Sequence, residues 1–198
     1  MKTAMAAVSV TILLLSVPAA ASDGREEKPF AAGGHIRLDL SAGDYIVKAG
    51  RADRIAVEWR TPSDASPARI SITTDNGGKT ATVLTSGPHN NFKVVIEVPS
   101  LSDLNLNVSA GDLRVLGITG NKNLGSWAGD IDVDVPRSED YRRVDVHVTA
   151  GDISAPSFGG AASGLFRSFT WNGPGQYTLQ IRLTAGDVRL YATATDDR

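Results

Sequence analysis

Three aspartates alternate along one short segment of this chain, and they are its clearest candidates for carboxylate chemistry. They are Asp130, Asp132 and Asp134. In an extended strand, residues i and i+2 point to the same side and lie about 6.6 to 7 Å apart. Carboxylates at about that separation can serve inverting glycoside hydrolysis, or they can hold a cation. Alternating charge on the solvent side of a half-buried strand gives the same pattern without any chemistry, and we favour that interpretation.

A second group of carboxylates belongs to a tetrad that recurs five times and ends in Ala-Gly-Asp. Glycine adopts positive φ at little cost, and aspartate accepts hydrogen bonds from turn amides. One aspartate per repeat supplies too few oxygens for calcium, which prefers about six to eight. We therefore predict tight structural corners, with no metal and no cofactor. The predicted corner residues are Gly43, Asp44, Gly111, Asp112, Gly129, Asp130, Gly151, Asp152, Gly186 and Asp187.

Aromatic residues concentrate in the glycine-rich insertion at residues 156–176, near Trp127 on the outward side of a predicted strand. Such rings on a rigid β-surface can stack on sugars. They also bury about 150 to 250 Å² each when packed. We therefore expect the insertion to fold back as a lateral cover that buries Trp127 and its own rings. If the rings are exposed instead, the candidate ligand-binding residues are Trp127, Asp130, Asp132 and Trp171.

Short strands on both sides of each tetrad must position these residues. Before Gly43, apolar Ile36, Leu38 and Leu40 alternate with polar residues, and the other copies repeat this pattern. Period-two alternation predicts strands with one buried face. Successive glycines at 111, 129 and 151 lie 18 and 22 residues apart, a spacing typical of stacked β-rungs. The wider gaps of 68 and 35 residues would hold about three and about two rungs of that length.

The predicted fold class is all-β, a β-helix or solenoid-like stack of short strands. We expect a single domain over residues 22–198. Residues 48–100 contain strand-like runs and the hairpin signal Asp75-Asn76-Gly77-Gly78, which predict an antiparallel opening section. Residues 101–191 then hold the rungs, interrupted by the insertion.

The first 21 residues read as a cleaved signal peptide. Lys2 precedes an apolar run over residues 4–17, and Ala19-Ala20-Ala21 supplies the cleavage pattern. The run is shorter than the roughly 20 residues that span a bilayer, so we expect no transmembrane segment in the mature chain. We expect an exported protein, periplasmic or extracellular.

Composition excludes several classes of site and partner. The sequence has no cysteine, which excludes disulfides and thiolate metal sites. It has 20 Lys and Arg residues against 22 Asp and Glu, without a basic run, so no nucleic-acid partner is expected.

The run Phe92-Lys93-Val94-Val95-Ile96-Glu97-Val98-Pro99, the run from Leu104 to Val115 and the repeated Gly-Asp corners resemble the bacterial putative-adhesin family of β-strand-repeat domains. The resemblance covers roughly residues 33–191. It implies an exported, elongated β-helix-like domain and brings no catalytic or ligand residues with it. We expect an adhesin-like structural or binding module of the cell envelope, not an enzyme, with a glycan or a protein as partner. The alternative is a glycan-binding or glycan-cleaving protein that uses the outer face around residues 127–176.

Overall fold

The computed structural model describes residues 23–62, 66–88 and 91–193. These residues form β-strands and three 3₁₀ helices, at Asn76–Gly78, Ser138–Asp140 and Pro156–Phe158. The prediction of an all-β protein is confirmed. The predicted signal peptide lies outside the described residues.

Seventeen strands, arranged in two mixed sheets, make up the described part of the chain. Sheet A has the order β1-β4-β7-β3-β9-β11-β17-β13-β14, and sheet B has the order β15-β12-β16-β10-β8-β2-β6-β5. The strands are β1 Gly24–Pro29, β2 Gly34–Leu40, β3 Asp44–Ala49, β4 Arg54–Arg60, β5 Arg69–Asp75, β6 Thr80–Ser86, β7 Lys93–Val98, β8 Ser102–Val108, β9 Leu113–Leu116, β10 Lys122–Ala128, β11 Ile131–Asp134, β12 Tyr141–Ala150, β13 Ile153–Ala155, β14 Gly160–Ala162, β15 Leu165–Asn172, β16 Tyr177–Ala185 and β17 Val188–Tyr191.

The core lies between the two sheets and is built from aliphatic rows that cross the strands. Aligned residues of neighbouring strands in sheet B form one such row, and each is at most 1% exposed. Burial of one such side chain contributes about 1.5 to 3 kcal/mol, so the rows favour this register over a slipped one. The row consists of Leu38, Leu106, Leu124, Ile181 and Val146.

Each tetrad joins a strand of sheet B to a strand of sheet A. The resulting pairs are β2-β3, β8-β9, β10-β11, β12-β13 and β16-β17. Neighbouring pairs run parallel in both sheets. The spatial order departs from the chain order, because β16-β17 lies between β10-β11 and β12-β13.

The two wide gaps between tetrads differ from our expectation of about three and about two regular rungs. The gap after Gly43 contains one more parallel pair, β6-β7, together with the antiparallel strands β4 and β5. The gap after Gly151 contains β14 and β15, which run antiparallel to β13 and β12. One cause is visible at the turn Asn76–Gly78, which reverses the chain within sheet B instead of passing it to sheet A.

Glycine is required at the corners because neighbouring backbones touch there. Gly129 has φ of +109°, and a Cβ on it would lie 2.3 Å from the carbonyl oxygen of Gly111. Gly43 is not among the glycines with positive φ. A Cβ on Gly43 would still lie 2.8 Å from the carbonyl oxygen of Phe92. Close approach is therefore the requirement that these two corners share.

We predict that Gly129→Ala lowers the free energy of unfolding by about 3 kcal/mol or more, because the new Cβ adds a backbone clash to the strain of positive φ. Gly159→Ala is the matched control. Gly159 has φ of +70°, and a Cβ on it would have no atom within 4 Å. Its substitution should cost only about 1 kcal/mol. Urea unfolding measures both values, and equal losses would contradict a role for close approach.

Candidate functional site

Four of the five predicted corner aspartates, all except Asp44, form a hydrogen-bonded series that we call the aspartate ladder. In each step a carboxylate oxygen accepts from a backbone N–H of the neighbouring element. Asp112 Oδ1 accepts from Asp130 N at 3.1 Å, and Asp130 Oδ1 accepts from Asp187 N at 3.0 Å. Asp187 Oδ1 accepts from Asp152 N at 3.0 Å, and Asp152 Oδ1 accepts from Gly164 N at 3.2 Å. Each carboxylate thus accepts from a backbone N–H of the next corner or loop in the series. Each such charge-assisted hydrogen bond contributes about 1.5 to 3 kcal/mol to stability.

The paired carboxylates Asp130 and Asp132 are held by arginines. Arg189 Nη1 lies 3.3 Å from Asp130 Oδ2 and 3.3 Å from Asp132 Oδ1. Arg114 Nε lies 3.6 Å from Asp132 Oδ2. The negative charges of Asp130 and Asp132 are therefore balanced by arginines on the outer face of sheet A, as in an ordinary network of surface ion pairs.

Asp134 departs from the expectation that all three alternating aspartates point to solvent. It is 6% exposed. Its carboxylate accepts hydrogen bonds from Gly117 N at 3.3 Å and from Thr193 N at 2.9 Å. The prediction of an exposed carboxylate is wrong here, because backbone from two loops covers the side chain and supplies its hydrogen bonds.

Trp127 is the exposed aromatic residue among the predicted ligand-binding residues. It is 70% exposed on β10, within sheet B. The insertion does not cover it, so the expectation that the insertion buries Trp127 is wrong. The insertion instead forms β14 and β15, which add to one end of each sheet. Strand pairing with β12 and β13 satisfies the backbone of the insertion at that end, away from the face of β10.

The aromatic rings of the insertion divide into two groups. Phe158 is buried, and its ring centroid lies 4.8 Å from that of Trp171. Trp171 and Phe169 pack partly buried against the core. Phe166 is 81% exposed, contrary to our expectation, and has φ of +52°. Trp171 is therefore a packing residue, whereas Phe166 is free to contact a ligand or a partner.

Amide and hydroxyl side chains share the outer face of sheet B with Trp127. Asn123 Nδ2 donates to Asn105 Oδ1 at 3.3 Å across neighbouring strands. Gly125, two residues before Trp127 on the same face, is covered by the Asn107 side chain, since a Cβ on Gly125 would lie 2.7 Å from Asn107 Oδ1. An exposed indole beside amide groups and the exposed Arg182, which lies opposite Gly125 on this face, suits ligands with both apolar faces and hydroxyl groups. Further polar residues on this face are Asn107, Gln180 and Thr184.

A groove of about 800 Å³ on sheet A was missed by the sequence analysis. Its apolar lining comes from Ile46, Trp59 and Val95, and Arg60 and Lys93 are among its charged residues. Arg60 lies directly opposite Lys93 in the strand register. The lining residues come from strands far apart in the chain, so no local motif marks the groove.

Lys122 is a buried cation inside the sandwich. It is 1% exposed, and its Nζ donates to Tyr141 Oη at 2.6 Å and to the carbonyl oxygen of Gly120 at 3.2 Å. Desolvation lowers the pKa of Lys122 to about 8, partly opposed by nearby aspartates. Burial also raises the pKa of Tyr141. The structure thus contains an ionisable group that can titrate near neutral pH.

No known family model matches the sequence, and no curated protein matches it. The fold is similar to that of a putative cell adhesion protein from Clostridium sporogenes ATCC 15579, with a TM-score of 0.53 at 11% identity over 87% of this chain and 100% of that chain. A putative adhesin from Parabacteroides merdae ATCC 43184 gives a TM-score of 0.29 at 14% identity over 86% of this chain and 81% of that chain. The similarity to the Clostridium protein shows that the two chains share an adhesin-like fold. The TM-score to the Parabacteroides protein is too low to support an argument.

Within the described ranges, no helix is long and apolar enough to cross a membrane. The same residues contain no group of three or more histidine, aspartate or glutamate side chains placed to hold a metal ion.

We predict that Lys122 makes the protein more stable as the pH rises from 7.5 to 9.5. In this window the unfolded chain, with its ordinary lysine pKa, keeps a proton that the folded chain releases. Stability therefore increases with pH, by about 2 kcal/mol in total. Urea unfolding at several pH values measures the effect. Lys122→Met, which keeps an unbranched side chain one atom shorter and without charge, should remove this increase. An unchanged pH profile in that variant would contradict the assignment.

We also predict that thermal stability is independent of calcium. The ladder carboxylates already accept backbone N–H groups, and one carboxylate per corner leaves a calcium ion short of oxygens. The melting temperature should be the same in chelator, in calcium chloride and in sodium chloride of equal ionic strength. A rise of several degrees in calcium alone would contradict this prediction.

Proposed function

We propose that this chain is an exported, adhesin-like binding module of the bacterial cell envelope that catalyses no reaction. The observation that carries the proposal is Trp127, an indole that is 70% exposed in the middle of a hydrogen-bonded sheet. Isolated exposed aliphatic residues are common on protein surfaces. A tryptophan side chain on a central strand is different, because it leaves a large apolar area in contact with water. Binding of a partner gives that exposure a use.

The proposal includes a solenoid-like, β-helix-like architecture. Its support is the parallel, in-register pairing of successive strand pairs, together with corners that follow one another through the aspartate ladder. The departure from chain order at β16-β17 limits the likeness to a simple coil of repeats. The similarity in fold to a protein described as a putative cell adhesion protein supports a role in attachment.

Binding is favoured over glycan cleavage by the state of the carboxylates. A hydrolytic pair needs one group that donates a proton and one that activates water. Arg189 contacts both Asp130 and Asp132, so both carboxylates already have the same cationic partner and neither is left free to act on a substrate. Asp134 is buried and bonded to two amides. The outer face around residues 127–176 is therefore proposed as a binding surface without catalysis.

The location in the proposal rests on residues 1–21, whose sequence has the pattern of a cleaved signal peptide. A periplasmic or extracellular site would place the module beside envelope polymers.

A glycan is the partner class that the Trp127 face supports best. An indole can stack on the apolar face of a sugar ring, while Asn105, Asn123 and Gln180 supply amide donors and acceptors for hydroxyl groups. Phe166 lies three strands from Trp127, about 14 Å away at the usual strand spacing. A linear oligosaccharide lying across β10, β16, β12 and β15 could reach both rings.

We predict that Trp127→Ala weakens glycan binding at least about tenfold, and that it changes the free energy of unfolding by less than about 0.5 kcal/mol. The probe is an array of bacterial envelope glycans that includes peptidoglycan fragments, followed by titration of the best ligand. Trp171→Ala is the matched control. It should lower stability by about 3 kcal/mol, because this indole packs against Phe158.

Two results would contradict the glycan proposal. One is an array on which no envelope glycan binds the wild-type chain. The other is a bound glycan whose affinity does not change in Trp127→Ala, which would place the site elsewhere on the surface.

A further inference from the structure

β15, the strand Leu165–Asn172, forms an open edge of sheet B. It pairs antiparallel with β12 on one side and stands at the end of the strand order. No described strand pairs with its other side. An edge strand presents a row of unpaired N–H and C=O groups, which is a template for pairing with another strand.

The four sheet edges of the described chain differ in how strongly they oppose pairing with another strand. At one end of sheet A, the charged residues of β1 and its terminal proline oppose pairing with another strand. At the other end, β14 is only three residues long. At the far end of sheet B, β5 begins with Arg69 and ends with Asp75, both exposed. In contrast, β15 is eight residues long and carries a single charge, at Arg167.

β15 also exposes large apolar side chains at its beginning. Leu165 is 63% exposed and Phe166 is 81% exposed. Phe166 has φ of +52°, a conformation that is a genuine outlier for a bulky residue and costs about 1 to 3 kcal/mol. The chain therefore holds an exposed aromatic ring in a strained backbone at the one long edge that has little charge. Strain of this kind concentrates at sites of binding.

The sequence of β15 is complementary to itself when two copies run antiparallel about Ser168. That register places Ser168 opposite Ser168 of the second copy, and Phe166 opposite Thr170. On the inner side it places Leu165 opposite Trp171, and Arg167 opposite Phe169, where a cation can lie over an aromatic face. Like charges meet nowhere along the paired strands, and every pair joins side chains that point to the same side of the sheet.

We infer that two copies of this chain form a symmetric dimer by antiparallel pairing of their β15 strands. The interface is isologous, since the same strand is used by both copies, and so it closes at two chains. Sheet B becomes a continuous sheet of 16 strands, twice its 8 strands in one chain. The dimer places Leu165 beside Trp171 of the second copy and satisfies the open backbone edge, while Phe166 stays on the outer face, where Trp127 also lies.

Cysteine cross-linking tests the pairing directly, because the chain has no cysteine of its own. In Ser168→Cys the two new thiols face each other, with Cα atoms about 4.5 to 5.5 Å apart, which suits a disulfide. We expect mild oxidation to convert most of this variant to a covalent dimer. Ser71→Cys is the matched control, since Ser71 is exposed on β5 at the opposite edge of the same sheet. It should remain monomeric on a denaturing gel.

A charge variant tests the same edge without oxidation. Light scattering across a dilution series should give twice the monomer mass for the wild-type chain and for Ser71→Lys. Ser168→Lys places two like charges at the two-fold axis and should give the monomer mass while the chain stays folded, with a melting temperature that no longer depends on protein concentration. Mixing Ser168→Lys with Ser168→Glu should restore a dimer of the two variants.

Three results would overturn the inference. The first is a wild-type mass that stays at one chain at every concentration. The second is a dimer in which Ser168→Cys does not cross-link. The third is a cross-link that forms only when Ser71→Cys and Ser168→Cys are mixed, because that result means head-to-tail pairing of β5 with β15 and growth into filaments.

Discussion

Direct contact between neighbouring backbones at the corners is the constraint on which the two sheets depend. A Cβ on Gly129 would lie 2.3 Å from the oxygen of Gly111, and one on Gly186 would lie 2.2 Å from the oxygen of Gly129. The aspartate ladder bonds the same corners together, since each carboxylate accepts the next amide. Once two corners are fixed in this way, the strands on both sides have one register. A slip of one residue would turn the aliphatic rows to solvent.

The strands and their inner faces could be predicted from the sequence because their causes are local. Alternation in β2 marks Ile36, Leu38 and Leu40 as a buried side, and all three are at most 3% exposed. The order of the strand pairs could not be predicted. Leu124 lies beside Ile181 in the structure, but Val146 has similar size and shape and would fit the same place. Aliphatic rows therefore specify a register between strands without specifying which strand is the neighbour.

The candidate site was harder to predict than the fold, because exposure depends on which surface a segment packs against. The number of aromatic rings in the insertion indicated a large apolar area, and Phe158 and Trp171 do pack against the core. Nothing local indicated that the insertion would extend the ends of the sheets and leave Trp127 open. The burial of Asp134 likewise depends on Gly117 and Thr193, which come from distant parts of the chain. The groove beside Trp59 depends in the same way on strands that meet only after folding.

The position of β16-β17 constrains the order in which the protein can fold. Both β10 and β12 hydrogen-bond to β16, so neither has its full set of neighbours until residues 177–185 are present. A repeat protein whose units follow chain order can extend one unit at a time from a stable end. Here the last strand pair in the chain, β16-β17, occupies the position between β10-β11 and β12-β13. It must therefore insert between these two pairs after they have formed, or the two pairs cannot complete their sheets until β16-β17 is available. Contacts of such long sequence separation slow folding. A chain emerging from a ribosome or a membrane pore would therefore keep two strand edges open until its last two strands are released.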